Sequence, residues 1–306
     1  MSENPSENQS AKIKYDNTYI RRYMKPIIKY RGGKSKEIQH FLPHIPDYAG
    51  RYIEPFFGGG SLFFYLEPER AIINDINTKL IQFYLGVRDD YPHLHEELAR
   101  LEDMYNRNRK RFEERKADAP DERVLDENEE LYYRLRDMYN GLTRPAYSEA
   151  TLYYYINKTA YSGMIRFNKN GEYNVPYGRY KNFNTSIITE EHSNLLQRTQ
   201  IFNQDYTEIF NQAQPDDFMF LDPPYDCIFS DYGNEEYREG FNEASHRALA
   251  EDIRNLPCRA LLVIGRTPLT EELYGDMIIE EYDKSYAVNI RNRFHSEAKH
   301  ILIANY

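Results

Sequence analysis

Phe218-Met219-Phe220-Leu221-Asp222-Pro223-Pro224-Tyr225 is the stretch whose reading decides the fold. Its apolar half reads as a buried strand, and its second half delivers an acid, two prolines and an aromatic ring at the carboxyl end. Open α/β sheets keep their sites at that end of their strands. The prolines fix φ and remove two amide donors, which leaves carbonyls free to accept. An acid, a free carbonyl and a stacking ring suit a planar substrate bearing an NH2 group. A proline-stiffened turn accounts for the same residues equally well.

Upstream, Tyr52-Ile53-Glu54-Pro55-Phe56-Phe57-Gly58-Gly59-Gly60 is a strand running into three glycines. Without a Cβ, such a loop lets backbone approach a ligand closely. Asp75 closes a second apolar run, Ala71–Ile76, twenty-one positions after Glu54. An acid there can bond ribose hydroxyls in a Rossmann-like fold. The spacing G-x-G-x-x-G is absent, so a nicotinamide dinucleotide fits poorly. A glycine turn beside a strand-end aspartate is the competing reading.

Outward from these two stretches, β-like runs recur at Arg51–Glu54, Ala71–Ile76, Gln200–Asn203, Phe218–Leu221, Ala260–Ile264, Met277–Tyr282 and Ile301–Ala304. Ser61–Leu66 has helical character. Between the early and late strands, Leu94, Leu98, Leu101, Tyr105 and Phe112 recur at helical spacing, and Glu129–Tyr139 repeats that style. Ala117–Glu127, with Pro120 and five acids, separates the two helices. The pattern predicts an α/β sheet of about seven strands interrupted by a mostly helical insertion.

The 306 residues exceed the needs of one ordinary domain, and 41% hydrophobic with 29% charged residues describes a chain able to bury a core. No apolar run approaches the roughly eighteen residues of a membrane span. The polar start, residues 1–11, lacks the apolar stretch of a secretory signal. Two cysteines, Cys227 and Cys258, without a CxxC pair exclude a disulfide scaffold and a cysteine-rich zinc site, and the expected home is a reducing cytoplasm. The histidines form no metal-binding set, so no metal is expected. A net charge of −10 argues against non-specific coating of nucleic acid and leaves room for a local basic groove. Lys12 to Lys36 is basic, and so is Asn157–Lys181, where Lys158, Arg166, Lys169, Arg179 and Lys181 face Glu172 alone. Each run reads as a solvated face or as a phosphate-contacting surface.

These motifs together resemble a known family. Asp222-Pro223-Pro224-Tyr225 with the upstream Glu54-to-Gly60 loop is similar to the amino-methyltransferases that use S-adenosylmethionine. Lys29-Tyr30-Arg31-Gly32-Gly33-Lys34 resembles the opening motif of the DNA adenine methylase family (the D12 class of N6-adenine-specific enzymes). Asn74-Asp75-Ile76-Asn77 is similar to that family's ribose-binding segment. Arg166-Phe167-Asn168 and Asn174-to-Lys181 resemble its target-recognition region. The similarity runs from Lys25 to Tyr306 in family order.

The resemblance implies a Rossmann-like S-adenosylmethionine-dependent methyltransferase domain over 25–85 and 196–306. Residues 1–24 form a polar, then basic tail, and a target-recognition domain with a β-hairpin occupies 86–195. The implied activity is methyl transfer from S-adenosylmethionine to N6 of an adenine flipped out of duplex DNA, leaving S-adenosylhomocysteine. Implied catalytic residues are Asp222, Pro223, Pro224 and Tyr225. Tyr30, Lys34, Glu54, Phe56, Gly58, Gly59, Gly60, Asp75 and Asp222 are implied at the cofactor. Asp205 is either a ligand of the cofactor's adenine or a helix N-cap. Arg166, Asn168, Arg179, Lys181 and Ser162 are the expected DNA contacts, with guanine readout and phosphate contact both open for the arginines. Tyr161-Ser162-Gly163 stands where many GATC-reading relatives have Tyr-Asn-Gly, so a different contact set is expected. Asp226–Phe241 reads as a cover for the flipped nucleotide or as an ordinary loop. Double-stranded DNA is the expected partner, with a cognate restriction endonuclease as a further candidate and no membrane. The alternatives are an RNA adenine methyltransferase and a catalytically silent DNA-binding protein of the same fold.

Overall fold

A computed structural model describes residues 23–225, 241–284 and 298–306. The N-terminal tail with the first part of the basic arm (1–22), Cys227 and nearly all of the expected cover lie outside the described residues.

Among the described residues, seven strands form one sheet: β1 (Tyr52–Glu54), β2 (Ala71–Asn74), β3 (Thr199–Phe202), β4 (Phe218–Leu221), β5 (Arg259–Gly265), β6 (Ile278–Lys284) and β7 (Ala298–Ala304). The order is β3-β2-β1-β4-β5-β7-β6, with β7 antiparallel to both of its neighbours. β1, β2 and β4 are buried at every position, as expected where a parallel sheet is covered on both faces. Alternation assigns their side chains to two separate cores. Tyr52, Phe218, Phe220, Leu261 and Val263 pack on one face. Ile53, Met219, Leu221, Leu262 and Ile264 pack on the other.

The α-helices of the described residues are, in chain order, α1 (Ile38–Phe41), α2 (Ser61–Leu66), α3 (Thr78–Asp89), α4 (Tyr91–Asp118), α5 (Glu127–Tyr139), α6 (Glu149–Thr159), α7 (Glu190–Gln197), α8 (Tyr206–Phe210), α9 (Glu243–Arg254) and α10 (Pro268–Tyr274). α3 runs through the 85/86 boundary and α7 through 195/196. The helical insertion shares its core with the first sheet face rather than standing apart. The second strand ends at Asn74, two residues earlier than the apolar pattern predicts. The Asn74 side chain donates to the Pro55 and Gln204 carbonyls and accepts from the Gln204 amide. The next residue, Asp75, accepts from the Gly58 and Asn77 amides instead of continuing the ladder.

The abundant tyrosines have a structural use in the insertion. Tyr132 donates to the Val175 carbonyl at 2.8 Å, Tyr154 to Asn184 at 2.8 Å and Tyr105 to Tyr180 at 2.6 Å. These hydroxyls give partners to loop carbonyls that no ladder satisfies. The expected hairpin is narrow: Phe167 and Tyr173 form an isolated antiparallel bridge around a turn at Asn168–Gly171.

Candidate active site

The strand order reverses between β1 and β4, so their carboxyl ends bound a crevice at the topological switch point. Glu54 ends β1, Asp222 follows β4, and both line a cleft with Tyr30, Lys34, Asp75 and Tyr225. The loop after β1 forms one wall. Gly58 has φ +49, and a Cβ there would stand 2.8 Å from the Tyr30 ring. Gly60 has φ +62, and its Cβ would strike the Phe57 ring at 2.4 Å. Any larger residue at either position displaces an aromatic ring, so the cradle requires glycine.

Asp75 fixes this loop. Its Oδ2 accepts from the Gly58 amide at 2.8 Å and its Oδ1 from the Asn77 amide at 2.9 Å. Asn77 in turn caps α3 by accepting from the Leu80 amide. From below, the Tyr84 hydroxyl donates to the Gly58 carbonyl at 3.0 Å.

Opposite the loop, Lys34 Nζ lies 2.7 Å from Asp222 Oδ2 and 2.7 Å from the Gly32 carbonyl. Burial pushes the Asp222 carboxyl up, and the Lys34 ammonium pulls it back. Glu54 is 3% exposed and accepts a 2.9 Å bond from Tyr52. Burial drives its carboxyl well above the usual range, with Asp222 and Asp75 adding to the rise and Tyr52 and Lys34 opposing it. Three carboxyl groups thus converge on the cleft, two of them raised by burial, and Lys34 is the one buried cation among its described lining residues. A ligand that brings positive charge balances this set.

Phe56 lines the cleft beside Tyr206, with ring centroids 5.2 Å apart, and Phe241 meets Phe56 edge-on at 6.0 Å. Phe56 and Tyr206 thus give the cleft an aromatic wall, backed by Phe241. Asp205 does not line the cleft. It caps α8, accepting from the Thr207 amide at 3.0 Å and the Thr207 hydroxyl at 2.7 Å.

The expected DNA contacts stand apart from the cleft, on the insertion. Arg166 bonds Asn174, and Asn168 builds its turn by accepting from the Asn170 and Glu172 amides. Arg179 is 67% exposed at the side chain and 3.3 Å from Glu129. Lys181 is exposed. Ser162 has φ +54, a backbone region that asparagine tolerates better than serine.

Two positions escaped the motif reading. Asn157 accepts from the Lys29 amide at 2.9 Å and donates to the Lys29 carbonyl at 2.7 Å, clamping the chain just before Tyr30. Tyr84 supports the glycine loop through the bond described above. No local pattern marks either one. Among the described residues, no cluster of three or more His, Cys, Asp or Glu is arranged to hold a metal, and no helix is long and apolar enough to cross a membrane.

Residues 30–288 match the family model for D12 class N6 adenine-specific DNA methyltransferases. The chain is 33% identical over 290 residues to the type II methyltransferase M.CviBI of Paramecium bursaria Chlorella virus NC1A, covering 92% of this chain and 100% of that protein. It is 30% identical to the type II methyltransferase M.MjaIII of Methanocaldococcus jannaschii, over 83% of this chain and 88% of that one. With the DNA adenine methylase of Salmonella typhi the identity is 28%, over 81% and 83%.

Proposed function

The chain belongs to the family of D12 class N6 adenine-specific DNA methyltransferases, and from that premise we propose that it methylates adenine in duplex DNA with S-adenosylmethionine as donor. That it is an adenine-specific DNA methyltransferase follows from the family and its relatives. The donor, the duplex and the flipped base are our reading of the cleft.

The observation that carries the reading is the acidic lining of the cleft: three carboxyl groups, whose ionised forms a bound cation would favour, around one buried ammonium beside a glycine cradle. S-adenosylmethionine has an ammonium and a sulfonium against one carboxylate, so its net charge complements this set. Asp75, held in place by two backbone amides, would present its carboxylate to the ribose hydroxyls. The aromatic wall at Phe56 would take the adenine ring against its face. When bound, S-adenosylmethionine supplies a methyl group already activated by positive sulfur.

The protein's remaining task is to raise the nucleophilicity of adenine N6, whose lone pair is delocalised into the ring. Asp222 and the Pro223 carbonyl would accept hydrogen bonds from the NH2, returning density to nitrogen and favouring its pyramidal form. Tyr225 would stack on the base and offset part of the unstacking cost of a few kcal/mol. Alignment of nitrogen with the methyl group then supplies most of the acceleration. The reading carries with it a cytoplasmic setting, and a cognate restriction endonuclease is a proposed partner, in keeping with the type II naming of the relatives.

Calorimetric titration with S-adenosylmethionine, followed by methylation assays on matched duplex DNA, single-stranded DNA and RNA, tests it. The expected result is saturable binding with transfer to duplex DNA. Transfer to RNA alone would favour the RNA alternative. Binding of DNA without transfer would favour the silent one.

A further inference from the structure

Tyr225 rests on three neighbours. Lys34 Nζ stands 4.9 Å from its ring centroid. The Gly265 backbone lies beneath it, since a Cβ at Gly265 would be 3.4 Å from Tyr225 Cδ2. The His300 ring meets it nearly perpendicularly, with centroids 5.1 Å apart and planes at 79°. Gly265 and His300 are cross-strand partners on β5 and β7, so adjacent strands supply two of the three supports.

His300 is an unexpected residue for that place. It is 1% exposed and continues into Ile301, Leu302 and Ile303, all fully buried apolar residues. Its Nδ1 is 2.7 Å from Glu37 Oε2, and the same oxygen accepts from the Tyr282 hydroxyl at 2.8 Å. Glu37 is also buried, and although it occupies the N-cap position of α1 its side chain makes no cap bond. The carboxylate is directed instead at His300. With Nδ1–H donating to Glu37, Nε2 is left as an acceptor, and it is buried with no hydrogen-bond partner among the described residues. Burying such an atom carries a desolvation penalty that an apolar residue would avoid. The pair is buried and polar, and it ends on the ring assigned to the target base.

We propose that His300, oriented by Glu37, is a positioning residue that fixes the Tyr225 ring for stacking of the target adenine, an inference that rests on the role given to Tyr225 above. The two hydrogen bonds on Glu37 Oε2 set the rotation of the His300 ring. The edge contact passes that orientation to Tyr225. A packing residue of the same shape would fill the space without defining the angle.

Three variants separate the roles. Glu37→Gln keeps an oxygen for Nδ1–H. His300→Phe keeps the ring and loses the anchor. Glu37→Met with His300→Phe and Tyr282→Phe removes the whole buried polar set and leaves neither an isolated carboxylate nor a stranded hydroxyl. The readouts are Tm, S-adenosylmethionine affinity, kcat, and the fluorescence of 2-aminopurine placed at the methylated adenine. Glu37→Gln should stay within about twofold of wild type. His300→Phe alone should lose both Tm and kcat, because it leaves the Glu37 carboxylate buried beside an apolar ring. The triple variant should keep Tm and cofactor affinity but lose about tenfold in kcat, with an altered 2-aminopurine signal. A triple variant that keeps wild-type kcat and fluorescence would overturn the positioning role. If the wild-type protein itself neither methylates adenine nor changes the 2-aminopurine signal, it is the functional reading that fails, and this inference with it.

Discussion

The Asn157 side chain closes a two-bond ring on the Lys29 backbone, accepting from its amide and donating to its carbonyl. This joins the last turn of α6, in the insertion, to the segment that lays Tyr30 against the glycine loop. Asn157 is buried, so its loss removes two part-buried hydrogen bonds to the Lys29 backbone, at about 0.5–1.5 kcal/mol each.

Asn157→Ala should therefore weaken S-adenosylmethionine binding by roughly tenfold as Tyr30 loses its register. Asn157→Asp, which retains the acceptor, should fall between. Calorimetry beside a melting curve checks this. A lower Tm with unchanged cofactor affinity would make the clamp a purely structural device.

Glu54 predicts a pH effect. Its carboxyl is raised in the folded protein, so the stability linked to it is full below the ordinary carboxylate range. That stability is lost as pH rises through the folded value. Glu54→Gln keeps an oxygen for Tyr52 and removes the buried charge. It should raise the Tm of the cofactor-free protein at neutral pH by a few degrees and flatten the dependence of Tm on pH. The cation of S-adenosylmethionine favours ionised Glu54, so cofactor binding should release protons, read as a binding enthalpy that varies with the buffer. Equal enthalpies in all buffers would remove Glu54 from the cofactor's surroundings.

Much of this arrangement was legible in the sequence, because the decisive elements are local. β4 has the bounds read from Phe218–Leu221, an apolar run closed by Asp-Pro. β6 and β7 run past the ends read for them, since antiparallel pairing continues through Asp283↔Lys299 and Lys284↔Ala298 whatever their polarity. α6 carries no amphipathic period because Ala150 to Asn157 are all buried. At the site, Glu54, the glycines, Asp75 and Asp222 announce themselves by type and spacing. Pairings across the chain do not. Lys34 meets Asp222 from 188 residues away, and Glu37 meets His300 from 263. Nothing within either local window encodes the partner.

Lys158 offers a second titration. Burial, with Lys29 close by, holds its ammonium down at about 8, while its Nζ lies over the Tyr154 ring. If this face contacts phosphate, the contribution of Lys158 is present below that value and fades as pH rises through it. DNA affinity measured by anisotropy should weaken across this range, and Lys158→Arg should flatten the profile. Neutralising Lys158, Lys169 and Lys181 together should lower the salt dependence, by up to about one unit of log–log slope for each phosphate that no longer meets a cation. An unchanged slope would move the phosphate groove elsewhere.

Arg179 tests sequence reading separately from chemistry. It sits at φ +53, so Arg179→Gly removes the guanidinium without adding backbone strain, and stability should hold. If Arg179 reads a guanine, the variant should lose about 1–3 kcal/mol at the preferred site and relax preference at that base pair. Cofactor affinity should not change. A uniform loss over all sequences would assign the arginine to phosphate.

The most direct measurement of the central claim is nucleoside analysis by mass spectrometry. Unmethylated duplex DNA is incubated with methyl-labelled S-adenosylmethionine and either the wild-type protein or Asp222→Ala. The account predicts label solely in N6-methyldeoxyadenosine, formed at least about a hundredfold more slowly by the variant under single-turnover conditions. Label in cytosine, or a near-normal rate from Asp222→Ala, would contradict it.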